Sequence, residues 1–86
     1  MKVITKELLG KKIKSLRNES HMEQELLAKI LDISRTAVTA IESGQRDVTA
    51  LELVTICKVF KTPPNDLLGW HVYQTRQYEG LNDKLE

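Results

Sequence analysis

Apolar residues recur along this chain at helical intervals, and the pattern predicts five helices and no strand. Leu9, Ile13 and Leu16 stand at i, i+4 and i+7, one stripe of a helix from about Lys6 to Asn18. The polar stretch Asn18–His21 breaks that stripe. A second helix begins near Gln24, with Leu27 and Leu31 four apart and Ala28 beside them, and stops at Asp32. Ser34 is a natural N-cap for a third helix, whose inward residues are Val38 and Ile41 and whose end is marked by Gly44. Thr49 followed by Glu52 reads as a capping box opening a fourth helix, with Leu53, Ile56, Cys57 and Phe60 inward. Pro63-Pro64 ends that helix, and Pro64 suits the first turn of a short fifth helix carrying Leu67 and Leu68.

After Gly69 the character changes. The tail holds Trp70, Tyr73 and Tyr78, three of the four aromatic residues, with Leu81 and Leu85. Positions 70, 73, 77, 81 and 85 share one helical face, interrupted by Gln77 and weakened by Gly80. Two readings stand side by side: a tail packed over its own domain or frayed, and a self-association surface using Leu68, Trp70, Tyr73, Tyr78 and Leu81. The expected division is therefore a domain over 1–69 and a tail over 70–86.

Composition narrows the class. A length of 86 residues allows one small domain with a modest core, and 41% hydrophobic with 29% charged residues fits a folded globule. No apolar run approaches the roughly 20 residues that span a bilayer, and the N-terminus has no apolar signal core. The single Cys57 has no internal disulfide partner, so a reducing, cytoplasmic setting is expected and no membrane partner. Cys57 reads as core filler, and His21 and His71 as surface or boundary residues. Two histidines and one cysteine, far apart, offer no metal-ligand spacing, and no cofactor is expected. No nucleophile–base pair, paired carboxylates or phosphate-cradling glycine loop is present, so an enzyme is not expected.

Net charge is only +1, but its distribution is uneven. Residues 1–20 carry six Lys/Arg against two Asp/Glu, residues 21–46 three against four, and residues 47–86 four against six. The basic excess in the first helix is compatible with a one-sided DNA surface but does not demand one, since a charged first helix is more often a solvated face.

Residues 24–43 have the organisation of two helices crossing at a tight turn. Ala28 supplies a small residue where the helices touch, Asp32 tolerates a left-handed backbone, and Leu27, Leu31, Ile33, Val38 and Ile41 fill the apolar places. Together with LGKKIKSLR before and LELVTICKVF and PPNDLL after, these residues resemble the lambda-repressor-like (Cro/repressor, XRE-type) helix-turn-helix transcription regulators. The resemblance covers Leu9 to about Leu68 and implies a compact all-α five-helix domain that binds double-stranded operator DNA as a homodimer.

The resemblance also implies residue roles. Gln24 matches a position that touches phosphate and braces the recognition helix. Arg35, Thr36 and Thr39 match base-facing positions, and an Arg there can pair bidentately with guanine. Ser43, Gln45 and Arg46 match a region of phosphate contacts, and Ser34 caps the helix and can reach the DNA backbone. Arg17 and Glu42 match a structural ion pair that ties the first helix to the third. Three departures stand out: Glu23 where a Ser or Thr cap is common, Asp32 where Gly is common, and no Gly in the loop Ser20–Met22. The expected function is a sequence-specific regulator, chiefly a repressor on a pseudo-palindromic operator. The alternative is a protein-interaction module, the antitoxin of a toxin pair or the partner of a peptidase that relieves repression.

Overall fold

The order of elements is α1 (Lys6–Glu19), α2 (Gln24–Leu31), α3 (Arg35–Glu42), α4 (Ala50–Val59) and α5 (Pro64–Leu67). These come from a computed structural model that describes residues 4–69. Trp70, Tyr73, Tyr78 and Leu81, on which the two readings of the tail turn, lie outside the described residues. Leu68, expected beside them, is half-buried at the end of α5.

Side-chain caps start three of the helices. The Leu8 N–H donates to Thr5 Oγ1 at 3.1 Å, and the Ala37 N–H to Ser34 Oγ at 3.0 Å. Thr49 and Glu52 form the reciprocal capping box of α4, at 3.1 and 2.9 Å. Glu23 precedes α2 with no side-chain cap, so its contribution there is charge beside the helix dipole.

Four helices end in the same left-handed turn. His21, Asp32, Gly44 and Lys61 have φ of 54°, 57°, 81° and 52°. After each, an N–H reaches back five residues: Met22 to Arg17 O, Ile33 to Ala28 O, Gln45 to Ala40 O and Thr62 to Cys57 O, at 2.8–3.0 Å. His21 thus takes the backbone conformation that a glycine in that loop would have taken more cheaply.

The helices converge on a core of Ile13, Leu27, Ala28, Leu31, Val38, Ile41, Ile56, Cys57 and Leu67. Leu9, Leu16, Ile33, Leu53 and Phe60 pack against it half-buried. Burial pushes the Cys57 thiol up, away from the reactive thiolate. Gly10 lets α1 lie directly on the end of α3, because a methyl there would collide with the Ile41 carbonyl oxygen. The packing of α3 on both α1 and α2 holds its inner face and leaves Arg35, Thr36 and Thr39 exposed. Among the described residues no helix is long and apolar enough to cross a membrane.

Candidate nucleic-acid interface

Behind the exposed face of α3 lies a buried charge pair. Arg17 Nε donates to Glu42 Oε2 at 2.6 Å, and Nη2 donates to Oε1 at 3.1 Å. Arg17 Nη1 also donates to the Met22 carbonyl at 2.7 Å. The two side chains retain only 11% and 4% exposure. Among the described residues no buried side-chain N or O lacks a partner. The pair thus joins α1, the loop before α2 and the end of α3 at one point.

Gln24 extends this network to the surface. Its Nε2 donates to Glu42 Oε1 at 3.0 Å, while Thr39 Oγ1 donates to Gln24 Oε1 at 3.1 Å. Thr39 Oγ1 also lies 3.2 Å from the Arg35 carbonyl, the bond that a helical threonine makes to the preceding turn. Gln24 therefore braces α3 with both ends of its amide, and only one of its two Nε2 protons is engaged in doing so.

The remaining site residues differ in what they can offer. Arg35 and Thr36 are exposed, and no side-chain hydrogen bond or ion pair engages either among the described residues. Arg35 borders a polar hollow with Arg17, Glu23, Gln24 and Glu25. Ser34 Oγ accepts from Ala37, which leaves its own proton to donate outward. Ser43 is different, since its hydroxyl donates to the Ala40 carbonyl at 3.1 Å. Gln45 is exposed.

Arg46 has a partner that sequence reasoning missed. Its Nη1 and Nη2 meet Glu52 Oε1 and Oε2 at 2.9 and 3.0 Å, and Nη1 also donates to the Asp47 carbonyl. The fork-to-fork contact holds the Glu52 carboxyl below the usual carboxylate range and raises the Arg46 guanidinium. Glu52 thus serves as capping-box acid and as counter-ion, and much of the Arg46 charge is offset locally. Lys11 and Lys12, part of the basic excess of α1, border a hollow with Thr62, Asp66 and Leu67 of the α5 side. The cationic group best placed on the outer face of α3 is Arg35.

A helix-turn-helix family profile matches residues 13–67, more than half of the chain. The chain belongs to the XRE-type helix-turn-helix family of DNA-binding transcription regulators. Within that family it is 39% identical to the control protein C.BamHI of Bacillus amyloliquefaciens, over 73% of this chain and 79% of the relative. It is 35% identical to the control protein C.SmaI of Serratia marcescens, over 73% and 75%. The solved restriction-modification controller protein C.AhdI of Aeromonas hydrophila superposes with a TM-score of 0.65 at 26% identity, covering 72% of this chain and 94% of that one. Antitoxin PezA of Streptococcus pneumoniae is 34% identical over 72% of this chain but only 39% of its own length. In this helix-turn-helix protein, α2 is the brace and α3 carries the exposed polar face.

The sequence held no signal for one further feature. Leu51 is 81% exposed and Val54 48% exposed, three residues apart on α4. Both sit in Ala50–Val54, apolar except for Glu52, where inward and outward apolar positions read alike.

Proposed function

We propose that this helix-turn-helix regulator acts as a homodimer on a pseudo-palindromic operator and represses by occluding a promoter. Each copy would lay α3 in the major groove, with half-site centres about 34–36 Å apart. The observation that carries this reading is the outer face of α3. Arg35, Thr36 and Thr39 project from a helix whose back is tied to α1 and α2 by Arg17, Glu42 and Gln24. Arg35 would read a guanine, Thr36 and Thr39 neighbouring base edges, and Ser34, Gln45 and the α3 N-terminus the phosphates. The exposed Leu51 and Val54 support a second copy as partner, with the tail over 70–86 as a further contact outside the 1–69 domain. The control-protein relatives support an operator beside genes of a restriction–modification system. The protein would work in the cytoplasm, without catalysis or a cofactor. An antitoxin role draws on the PezA match alone, which spans a minor part of that protein.

In vitro selection of DNA sites with the purified chain tests the proposal. A two-fold-related site with half-sites one helical turn apart is expected, and no preference over random DNA overturns it. Arg35→Ala should weaken binding to the selected site by about 1–3 kcal/mol and relax preference at one base pair, with unchanged melting.

A further inference from the structure

We propose that Thr39 reads its base pair as a hydrogen-bond acceptor only, because the buried charge pair sets the direction of the hydrogen-bond chain ending on its hydroxyl. This rests on the reading that α3 enters the major groove. The chain starts at Glu42, whose two carboxylate oxygens are held by Arg17 and can only accept. The Gln24 amide faces that carboxylate at 3.0 Å. Turning the amide over would set its oxygen against a carboxylate oxygen, so the nitrogen stays on Glu42 and the oxygen on Thr39. The Gln24 NH2 therefore does not occupy a lone pair of the Thr39 hydroxyl.

A threonine hydroxyl has one proton. Two acceptors on the protein side compete for it, Gln24 Oε1 at 3.1 Å and the Arg35 carbonyl at 3.2 Å. Whichever takes it, the exposed side of Oγ1 presents lone pairs. In the major groove an acceptor finds a partner in adenine N6 or cytosine N4, and it is opposed by guanine O6 and N7 and by thymine O4. On its major-groove edge every base pair shows one amino group, so Thr39 decides which strand carries it. Arg35, one turn earlier on the same helix, can only donate. Gln24 and Glu42 are positioning residues in this reading: they give α3 a donor at 35 and an acceptor at 39.

The test pairs site selection with removal of one amino group. Selection with the wild type and with Thr39→Val identifies the base pair at which their preferences diverge. At that pair, 2′-deoxynebularine replaces deoxyadenosine, or the 2-pyrimidinone deoxynucleoside replaces deoxycytidine; each lacks the exocyclic amino group. The change in duplex stability is common to all proteins and cancels in the ratio of affinities. The wild type should lose about 3- to 10-fold more affinity than Thr39→Val, the size of one neutral hydrogen bond. Thr39→Ser, which keeps the hydroxyl, should retain that excess loss. Equal losses for wild type and Thr39→Val overturn the assignment. So does a preference for thymine that disappears when uracil replaces it, since that marks contact with the Thr39 methyl instead. A wild type with no preferred site removes the groove reading, and this assignment with it; a preferred site without the coupling removes this assignment alone.

Discussion

Glu42 connects stability to recognition at a single residue. Its carboxylate takes three hydrogen bonds, two from Arg17 and one from Gln24. A buried ion pair adds little net stability relative to an apolar pair, but removing one partner strands the other charge, at about 3–5 kcal/mol. Against a total of about 5–15 kcal/mol for a small domain, that is a large fraction. Glu42→Ala should therefore lower the melting temperature markedly and weaken operator binding even well below that temperature, because Gln24 loses its anchor. Thermal melts followed by circular dichroism, with binding measured in the cold, check both effects; unchanged melting and affinity would remove the pair from the account. The sequence placed Arg17 opposite Glu42 by resemblance. It could not show that Gln24 turns both ends of its amide inward, since that depends on a few ångströms between helices distant in the chain.

At the scale of elements, helix ends set local stability. Asp32 and Gly44 were legible as left-handed turns because Asp and Gly tolerate positive φ. Lys61 was not, since nothing in Lys-Thr-Pro-Pro distinguishes a left-handed lysine from an ordinary loop residue. A lysine at φ 52° is strained, and Lys61→Gly should raise stability by up to about 1 kcal/mol, the strain relief being partly offset by glycine's freer unfolded chain. Urea denaturation would read this as a higher midpoint at constant slope, whereas a lower midpoint contradicts it. The Arg46–Glu52 contact gives the loop and α4 a pH dependence. The Glu52 carboxyl is held low chiefly by its hydrogen bonds with Arg46, so its contribution is complete above the ordinary carboxylate pKa of about 4.3 and is lost as pH falls through the lower folded value. Glu52→Gln should lower stability at neutral pH and flatten the decline below about pH 4. Parallel acid limbs in the two proteins would show that the contact carries no such dependence.

At the scale of the whole molecule, modest net charge and the proposed two-fold target have to be reconciled. Arg17 and Arg46 are paired internally, so charge toward DNA comes from fewer groups than the count of basic residues suggests. The logarithm of the operator affinity should still fall linearly with the logarithm of salt concentration, by about 0.9 per phosphate neutralised. A second copy would supply the other half of these contacts. Leu51→Glu should shift the protein toward monomer in analytical ultracentrifugation and lose affinity for the full operator far more than for one half-site. An unchanged dimer would move the interface away from α4.

Periodicity, caps and turn residues were enough for the sequence alone to determine five helices, their order and most of the core. Those signals are local: apolar spacing of three and four, Thr49 with Glu52, Ser34 before α3 and Gly44 after it. The composition of the exposed face, Arg35, Thr36 and Thr39, was equally legible, because polar residues opposite Val38 and Ile41 must point outward. Only the tertiary structure decided how the polar groups are shared. It drew Arg46 to Glu52, turned the Ser43 proton to Ala40, left Leu51 outside, and ran donors from Thr39 through Gln24 to Glu42, on which Arg17 also closes. The physical reason is that a hydrogen bond needs its partners within about 3 Å and correctly directed. Such distances are set where helices meet, not by spacing along the chain.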